Sequence, residues 1–158
     1  MMLPPFNLAL AKNYKSPSQI ARVLSEAWVN DNVACPRCKD ELIPFAANQV
    51  GMDFFCDLCD ESFQLKASHK RINKKLTGAK YDKTLEAFEA NEHPNLILLV
   101  YQKPTYEVTR LVLIKRESLT KDIIVPRKAL PETARRAGWQ GCYWMLHGIP
   151  ESEWIELL

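Results

Sequence analysis

The chain has no long apolar run and no opening of the kind that directs secretion. Its longest hydrophobic stretch, residues 96–101, has the length of a buried strand and falls far short of the ~20 residues that cross a bilayer. The start, Met1-Met2-Leu3-Pro4-Pro5-Phe6-Asn7, offers neither the basic region nor the apolar core of a signal peptide. These absences predict a soluble, cytoplasmic protein with no membrane partner. Net charge is also slight, at +2, and neither an internal repeat nor a low-complexity tail is present. What remains is an ordinary globular composition, 158 residues with 47% apolar, enough for one domain with a real core.

The small net charge hides a polarised distribution. Residues 66–83 carry seven basic side chains (Lys66, Lys70, Arg71, Lys74, Lys75, Lys80, Lys83) against one acidic one, Asp82. A second basic group, Arg127, Lys128, Arg135 and Arg136, comes late, and the last eight residues hold three glutamates. Such polarisation fits one phosphate-facing surface on a near-neutral protein. On charge alone, a solvated lysine-rich face explains it equally well.

Four of the five cysteines form two Cys-x-x-Cys pairs, Cys35/Cys38 and Cys56/Cys59, with the spacing C-x2-C-x17-C-x2-C. That spacing lies within the range of structural zinc sites, where four thiolates close a tetrahedral shell. Two disulfides or buried thiols are the alternative, and a reducing compartment favours metal. Cys142 has no partner and reads as a core thiol.

Helical spacing of Ile20, Val23, Leu24, Ala27 and Trp28 predicts a helix, capped by Ser16 or Ser18 and reaching about residue 29. Short alternating strands are expected over 50–55 and 62–67, joined by the second cysteine pair. A flexible basic segment then spans 68–80, and a helix 81–91 turns Leu85 and Phe88 inward before His93-Pro94-Asn95 ends it. Core strands are expected at 96–101 and 107–114, and another near 142–146. The order helix, strands, helix, strands indicates an α+β or mixed α/β domain.

Alternation in the central strands places chemistry. Phe63 and Leu65 share one face, so Gln64 and Lys66 share the other. Met52 and Phe54 leave Asp53 on the opposite face of the preceding strand, where the hairpin brings it near Gln64 and Lys66. An acid, an oxygen donor two positions before a lysine, and that lysine are the parts a phosphodiesterase needs. Asp53 suits a hard cation such as Mg²⁺, which prefers oxygen ligands, and Lys66 suits work on the attacking water. Glu61 falls on the face of Phe63 and reads as a surface carboxylate.

Several stretches together resemble the catalytic domain of the DpnI-type methyl-directed restriction endonucleases, the Dam-replacing family. They are Phe6-Asn7-Leu8, Tyr14-Lys15-Ser16, Glu26-Ala27-Trp28-Val29, Cys35-Pro36-Arg37-Cys38, Asp53-Phe54-Phe55-Cys56 with Cys59, and Phe63-Gln64-Leu65-Lys66. The most distinctive is Thr133-Ala134-Arg135-Arg136-Ala137-Gly138-Trp139-Gln140-Gly141-Cys142. The resemblance implies a PD-(D/E)xK restriction-endonuclease-like fold, a central mixed sheet flanked by helices with an inserted four-cysteine zinc knuckle. It implies a prokaryotic, Mg²⁺-dependent endonuclease that cuts double-stranded DNA at GATC-like sites bearing N6-methyladenine. Asp53 then corresponds to the metal-binding aspartate, Lys66 to the catalytic lysine, and Cys35, Cys38, Cys56 and Cys59 to the zinc ligands. Glu26 stands where this fold often adds an acidic residue near the metal, its alternative being a solvated helix carboxylate. Trp139 is the candidate contact to the methylated bases, since a protruding methyl gains from a large aromatic surface; otherwise it is a core tryptophan after a glycine turn. Arg135 and Arg136 are candidates for phosphates or guanine edges, and Lys70, Arg71, Lys74 and Lys75 for phosphates.

Two departures stand out. Gln64 replaces the glutamate of E-x-K, keeping a carbonyl oxygen but losing a charge that hard cations depend on, so a slow, Mn²⁺-preferring or inactive site is expected. The family's C-terminal winged-helix domain is expected to be absent, leaving residues 1–158 as a single nuclease-like domain. The leading expectation is a methyl-directed endonuclease, weighed against a methylated-DNA-binding module without cleavage and a nuclease of the same fold with other targets. Nothing in the sequence demands a dimer, and a monomer is expected.

Overall fold

A computed structural model of the protein describes residues 3–46 and 52–158. After a 3-10 turn at Leu8–Ala11, helix α1 spans Pro17–Asn32. Proline at its first position is preset for helical φ and forfeits no hydrogen bond there. The hydroxyl of Ser16, the N-cap, meets Ser18 Oγ at 3.0 Å and caps no backbone amide. Strands follow at Ile43–Pro44 (β1), Phe54–Cys56 (β2), Glu61–His69 (β3) and Lys75–Lys80 (β4), then helix α2 at Tyr81–Glu89. Strands β5 (Asn95–Tyr101), β6 (Val108–Ile114), β7 (Ile124–Pro126), β8 (Gly141–Met145) and β9 (Trp154–Glu156) complete the fold.

The main sheet runs β1-β2-β3-β5-β6-β9, and a second, three-stranded sheet runs β4-β8-β7. Among the described residues only β3 and β5 pair in parallel, Leu65 facing Ile97 and Lys66 facing Leu98. All seven residues of β5 are buried, as a central strand covered on both faces must be. Alternation splits its side chains between two cores. Ile97, Leu99 and Tyr101 join Phe63, Leu65 and the α1 residues Leu24, Trp28 and Val29 on one face. Leu96 and Leu98 join Cys142 and Trp144 of the second sheet, and Leu146 just past it, on the other, with Leu85 and Phe88 of α2 packed against them. The mixed α+β architecture expected from element order is therefore present.

Local departures have physical reasons. The segment 68–80, read as flexible, ends in strand β4, whose partner β8 lies more than sixty residues further on (Lys75 opposite Met145). Only Leu76 in it is buried, so its pattern carried little strand signal. The strand expected over 50–55 begins at Phe54 in the structure; residues 50 and 51 lie outside the described residues. Glu61 is half-buried and pairs with Arg37 Nε at 2.9 Å, so it is an interior ion-pair partner rather than a surface carboxylate.

Candidate active site

The hairpin β2–β3 carries two clusters of donor atoms, one at each end of β2. At one end Cys35, Cys38, Cys56 and Cys59 bring their sulfurs within 4.8 Å of one another. Cys35–Cys59 and Cys38–Cys56 separations are 3.7 and 3.5 Å, and none of the four is in a disulfide. A tetrahedral ion with metal–sulfur bonds of ~2.3 Å spaces its sulfurs by about 3.8 Å. The cluster therefore fits a metal ion such as zinc. Each pair is followed by a residue in the left-handed region, Lys39 (φ 72°) and Asp60 (φ 61°), which turns the chain back around the sulfurs. Burial and the neighbouring sulfurs push the Cys59 thiol up to about 12. Packing four thiolates together needs a cation to balance their charge.

Arg37, inside the first pair, locks this cluster to the main sheet. Its guanidinium pairs with Glu61 at 2.9 Å and Glu117 at 2.6 Å, and donates to Asn95 Oδ1 at 3.0 Å. Asn95 is fully buried and in turn donates to Ser62 O at 2.9 Å. This node joins sequence positions more than fifty residues apart, and nothing in local patterning announces it.

At the other end, β2 stops while β3 continues, leaving the β3 edge open beyond Phe63. Asp53 closes it. Its amide donates to Phe63 O at 2.9 Å, and its Oδ2 accepts the Leu65 N–H at 2.7 Å, where a strand carbonyl would otherwise sit. The carboxylate is thus fixed by the ladder itself. Glu26 approaches from α1 on one side of that edge. Burial raises its pKa, and the charge of Asp53 raises it further, while Arg22, at 3.1 Å from Glu26 Oε1, opposes both. Arg22, Glu26 and Asp53 share a cleft of about 270 Å³. Val23 and Ala27, apolar positions of the helical pattern, line this cleft.

Lys66 approaches from the opposite face. Its ammonium donates to Thr77 O of β4 at 2.8 Å. Burial lowers its pKa, with Asp53 and Cys142 pulling the other way. Gln64, on the same face by alternation, is buried, and among the described residues its Oε1 has no hydrogen-bond partner. A buried carbonyl oxygen without a donor is costly and suits a cation. The donor set, two carboxylates and an amide oxygen, is the hard-oxygen kind that Mg²⁺ or Mn²⁺ accepts. Glu26, Asp53 and Lys66 thus bracket one strand edge, and Gln64 shares a face with Lys66 by alternation. Arg22, one helical turn before Glu26, was not singled out, although its i,i+4 spacing is the signal that finds it.

The basic candidates divide. Lys70 and Arg71 are exposed in the turn after β3. Lys74 is turned toward Glu151 at 4.0 Å and lies over the Trp154 ring. Lys75 stands on the outer face of the second sheet, over the ring of Tyr143. Arg135 and Arg136 are exposed on the β7–β8 connection, where Arg136 stacks on Trp139 at 4.6 Å. Trp139 follows Gly138, whose φ of 80° makes the expected glycine turn, and is half-buried rather than a core residue.

The fold and these clusters define a class, a mixed α+β domain with an embedded four-cysteine metal site beside a carboxylate–lysine cleft. Within that class the assignment is specific: the model of the DpnI, Dam-replacing family matches residues 2–158, and the chain belongs to that family. Membership points to a methylation-dependent restriction endonuclease with DNA as its partner. Among the described residues no helix is long and apolar enough to cross a membrane.

Proposed function

We propose that the chain is a Mg²⁺-dependent endonuclease of the PD-(D/E)xK type. It hydrolyses phosphodiester bonds in double-stranded DNA carrying N6-methyladenine in GATC-like sites, as a monomeric restriction enzyme of the prokaryotic cytoplasm. Residues 1–158 act as one catalytic unit. The observation that carries this reading is the convergence of Glu26, Asp53 and Lys66 on the open edge of β3. Asp53, Glu26 and Gln64 Oε1 would hold the divalent cation, and zinc would occupy the four cysteines. The cation, when bound, stabilises charge developing on the scissile phosphate and acidifies the attacking water.

The protein's own groups do the rest. The Leu65 amide aims Asp53, so the carboxylate needs no reorganisation to bind. Burial lowers the Lys66 pKa, bringing its amine closer to the neutral form that accepts a proton from water. Thr77 O holds that amine in place. Trp139 offers its ring to the protruding methyl group, while Arg135 and Arg136 reach phosphates or guanine edges and Lys70, Arg71 and Lys75 neutralise phosphates.

Gln64 supports a second reading, a module that binds methylated DNA without cutting it, because a neutral amide weakens a site built for carboxylates. Two plasmid preparations, adenine-methylated and unmethylated, incubated with the protein in Mg²⁺ and in Mn²⁺, separate the readings. Cutting confined to methylated plasmid is expected. Intact plasmid with a methyl-dependent mobility shift would leave only the binding module, and cutting of both plasmids would remove the methyl dependence.

A further inference from the structure

Strand β8 alternates its side chains, so Cys142 and Trp144 enter the core while Gly141, Tyr143 and Met145 face outward. On that outer face Tyr143 receives two cations. Lys75 Nζ lies 4.3 Å from the ring centroid, and the Arg127 guanidinium lies 5.4 Å from it. Next along the strand, a Cβ built on Gly141 would lie 2.8 Å from the Trp139 ring and 3.3 Å from Arg127 Nη1. Only glycine lets the indole lie down on the strand there, beside Arg127. Arg136 then stacks on the indole at 4.6 Å. The result is a continuous ladder, Lys75, Tyr143, Arg127, Trp139, Arg136, of cations interleaved with aromatic rings.

We propose that this outer face is a track for the phosphate backbone of the substrate duplex, with Tyr143 as the ring that holds Lys75 and Arg127 in place. The inference rests on the reading of the chain as a DNA-acting protein and adds the path that the strand takes. Three observations carry it. Two like charges drawn onto one ring repel each other, and an anion between them relieves that repulsion. Among the described residues, neither Lys75, Arg127 nor Arg136 has a carboxylate within ion-pair distance, whereas Lys74, one residue away from Lys75, is turned to Glu151. The track also shares a strand ladder with a partner of the candidate site. Tyr143 pairs with Thr77 across the β4–β8 ladder, and the Thr77 carbonyl is the group that holds Lys66.

Aromatic platforms often stack unpaired bases, but here two cations cover the Tyr143 ring. That arrangement suits phosphates, so the contacts of Lys75 and Arg127 are indifferent to base sequence and methylation.

The test measures binding of the full chain to end-labelled methylated and unmethylated duplexes by fluorescence anisotropy across a salt series, without added divalent cation. The double variant Lys75→Gln, Arg127→Gln should weaken both duplexes equally, by about tenfold or more. It should also reduce the slope of log affinity against log salt by about two, since each phosphate contact contributes ~0.9. Tyr143→Leu, which keeps both charges, should weaken both duplexes alike but by less. Lys115→Gln, an exposed lysine just past the far strand β6, should change neither quantity, and matching thermal unfolding curves establish that the variants are folded. Unchanged affinity and slope in the double variant, or no duplex binding by the unmodified chain, would overturn the track. Failure of the track and failure of the nuclease reading are distinguishable. A chain that binds as described yet never cuts in Mg²⁺ or Mn²⁺ keeps the track and loses the nuclease. A chain that cuts methylated DNA with binding indifferent to the double variant does the reverse.

Discussion

Only Phe54 and Phe55 separate Asp53 from Cys56 in the chain, yet the donor clusters at the two ends of β2 are built on opposite plans. The cysteine cluster is soft, symmetrical and closed, with two of its four residues fully buried and all four sulfurs facing inward. Such a site has no open position for a substrate and contributes to folding. The cleft at Asp53 is hard, asymmetrical and open, drawing Glu26 from one face of the sheet edge and Lys66 from the other. An open oxygen site contributes little to stability and much to chemistry. On the proposed reading one hairpin couples a structural centre to a chemical one, and the first fixes the strand that aims the second.

The comparison breaks most visibly at the cysteines. Replacing Cys56 with Ser, or stripping the metal with a strong chelator, should unfold the chain, because zinc binding is worth on the order of 10 kcal/mol in small zinc domains. Circular dichroism with metal analysis reads this, and a well-folded zinc-free variant would refute the structural role. Next in size is Lys66→Ala, for which cleavage should fall at least about 100-fold while duplex affinity and melting temperature stay near those of the parent. Undiminished cutting would remove Lys66 from the chemistry. Gln64→Glu comes third. Restoring a carboxylate should strengthen Mg²⁺ binding and raise cleavage in Mg²⁺ by about tenfold. A further loss of activity would mean that the site is tuned for an amide.

The smallest effect concerns the node that ties the cysteine cluster to the main sheet. Arg37 holds the Glu117 carboxyl at about 2, below its ordinary 4.5. A lowered folded-state value means that the pair's stabilisation is complete above about pH 4.5 and is lost as pH falls toward about 2. Because Glu117 is more than half exposed, the contribution is at most about 1 kcal/mol. Glu117→Gln should therefore lower the urea midpoint slightly at pH 7 and converge with the parent only as pH falls to about 2. A constant offset at every pH would exclude the ion pair as the cause.

The legible parts of this molecule are those whose cause is local. Helical spacing located α1, period-two alternation put Gln64 and Lys66 on one face, and Cys-x-x-Cys spacing announced the sulfur cluster. Asp53 was legible as a neighbour of that face, but not as the residue whose carboxylate replaces a strand at the β3 edge. That role depends on β2 stopping early. Strand β4 escaped notice because it contributes one buried side chain and pairs with a strand far along the chain. The Arg37–Asn95–Glu117 node and the Tyr143 ladder are tertiary, assembled from residues that look unremarkable singly. Val23 and Ala27 satisfied the helical pattern yet line the cleft, since an apolar stripe does not say whether it meets a core or the wall of a site.

The central proposal is that one hairpin carries a second metal site distinct from the four cysteines, and isothermal titration of Mn²⁺ into zinc-loaded protein tests it directly, using the unmodified chain and Asp53→Asn. The account predicts Mn²⁺ binding by the unmodified chain, its loss or severe weakening in Asp53→Asn, and full retention of zinc in both. Equal Mn²⁺ affinity in the two proteins, or zinc lost together with Asp53, would contradict it.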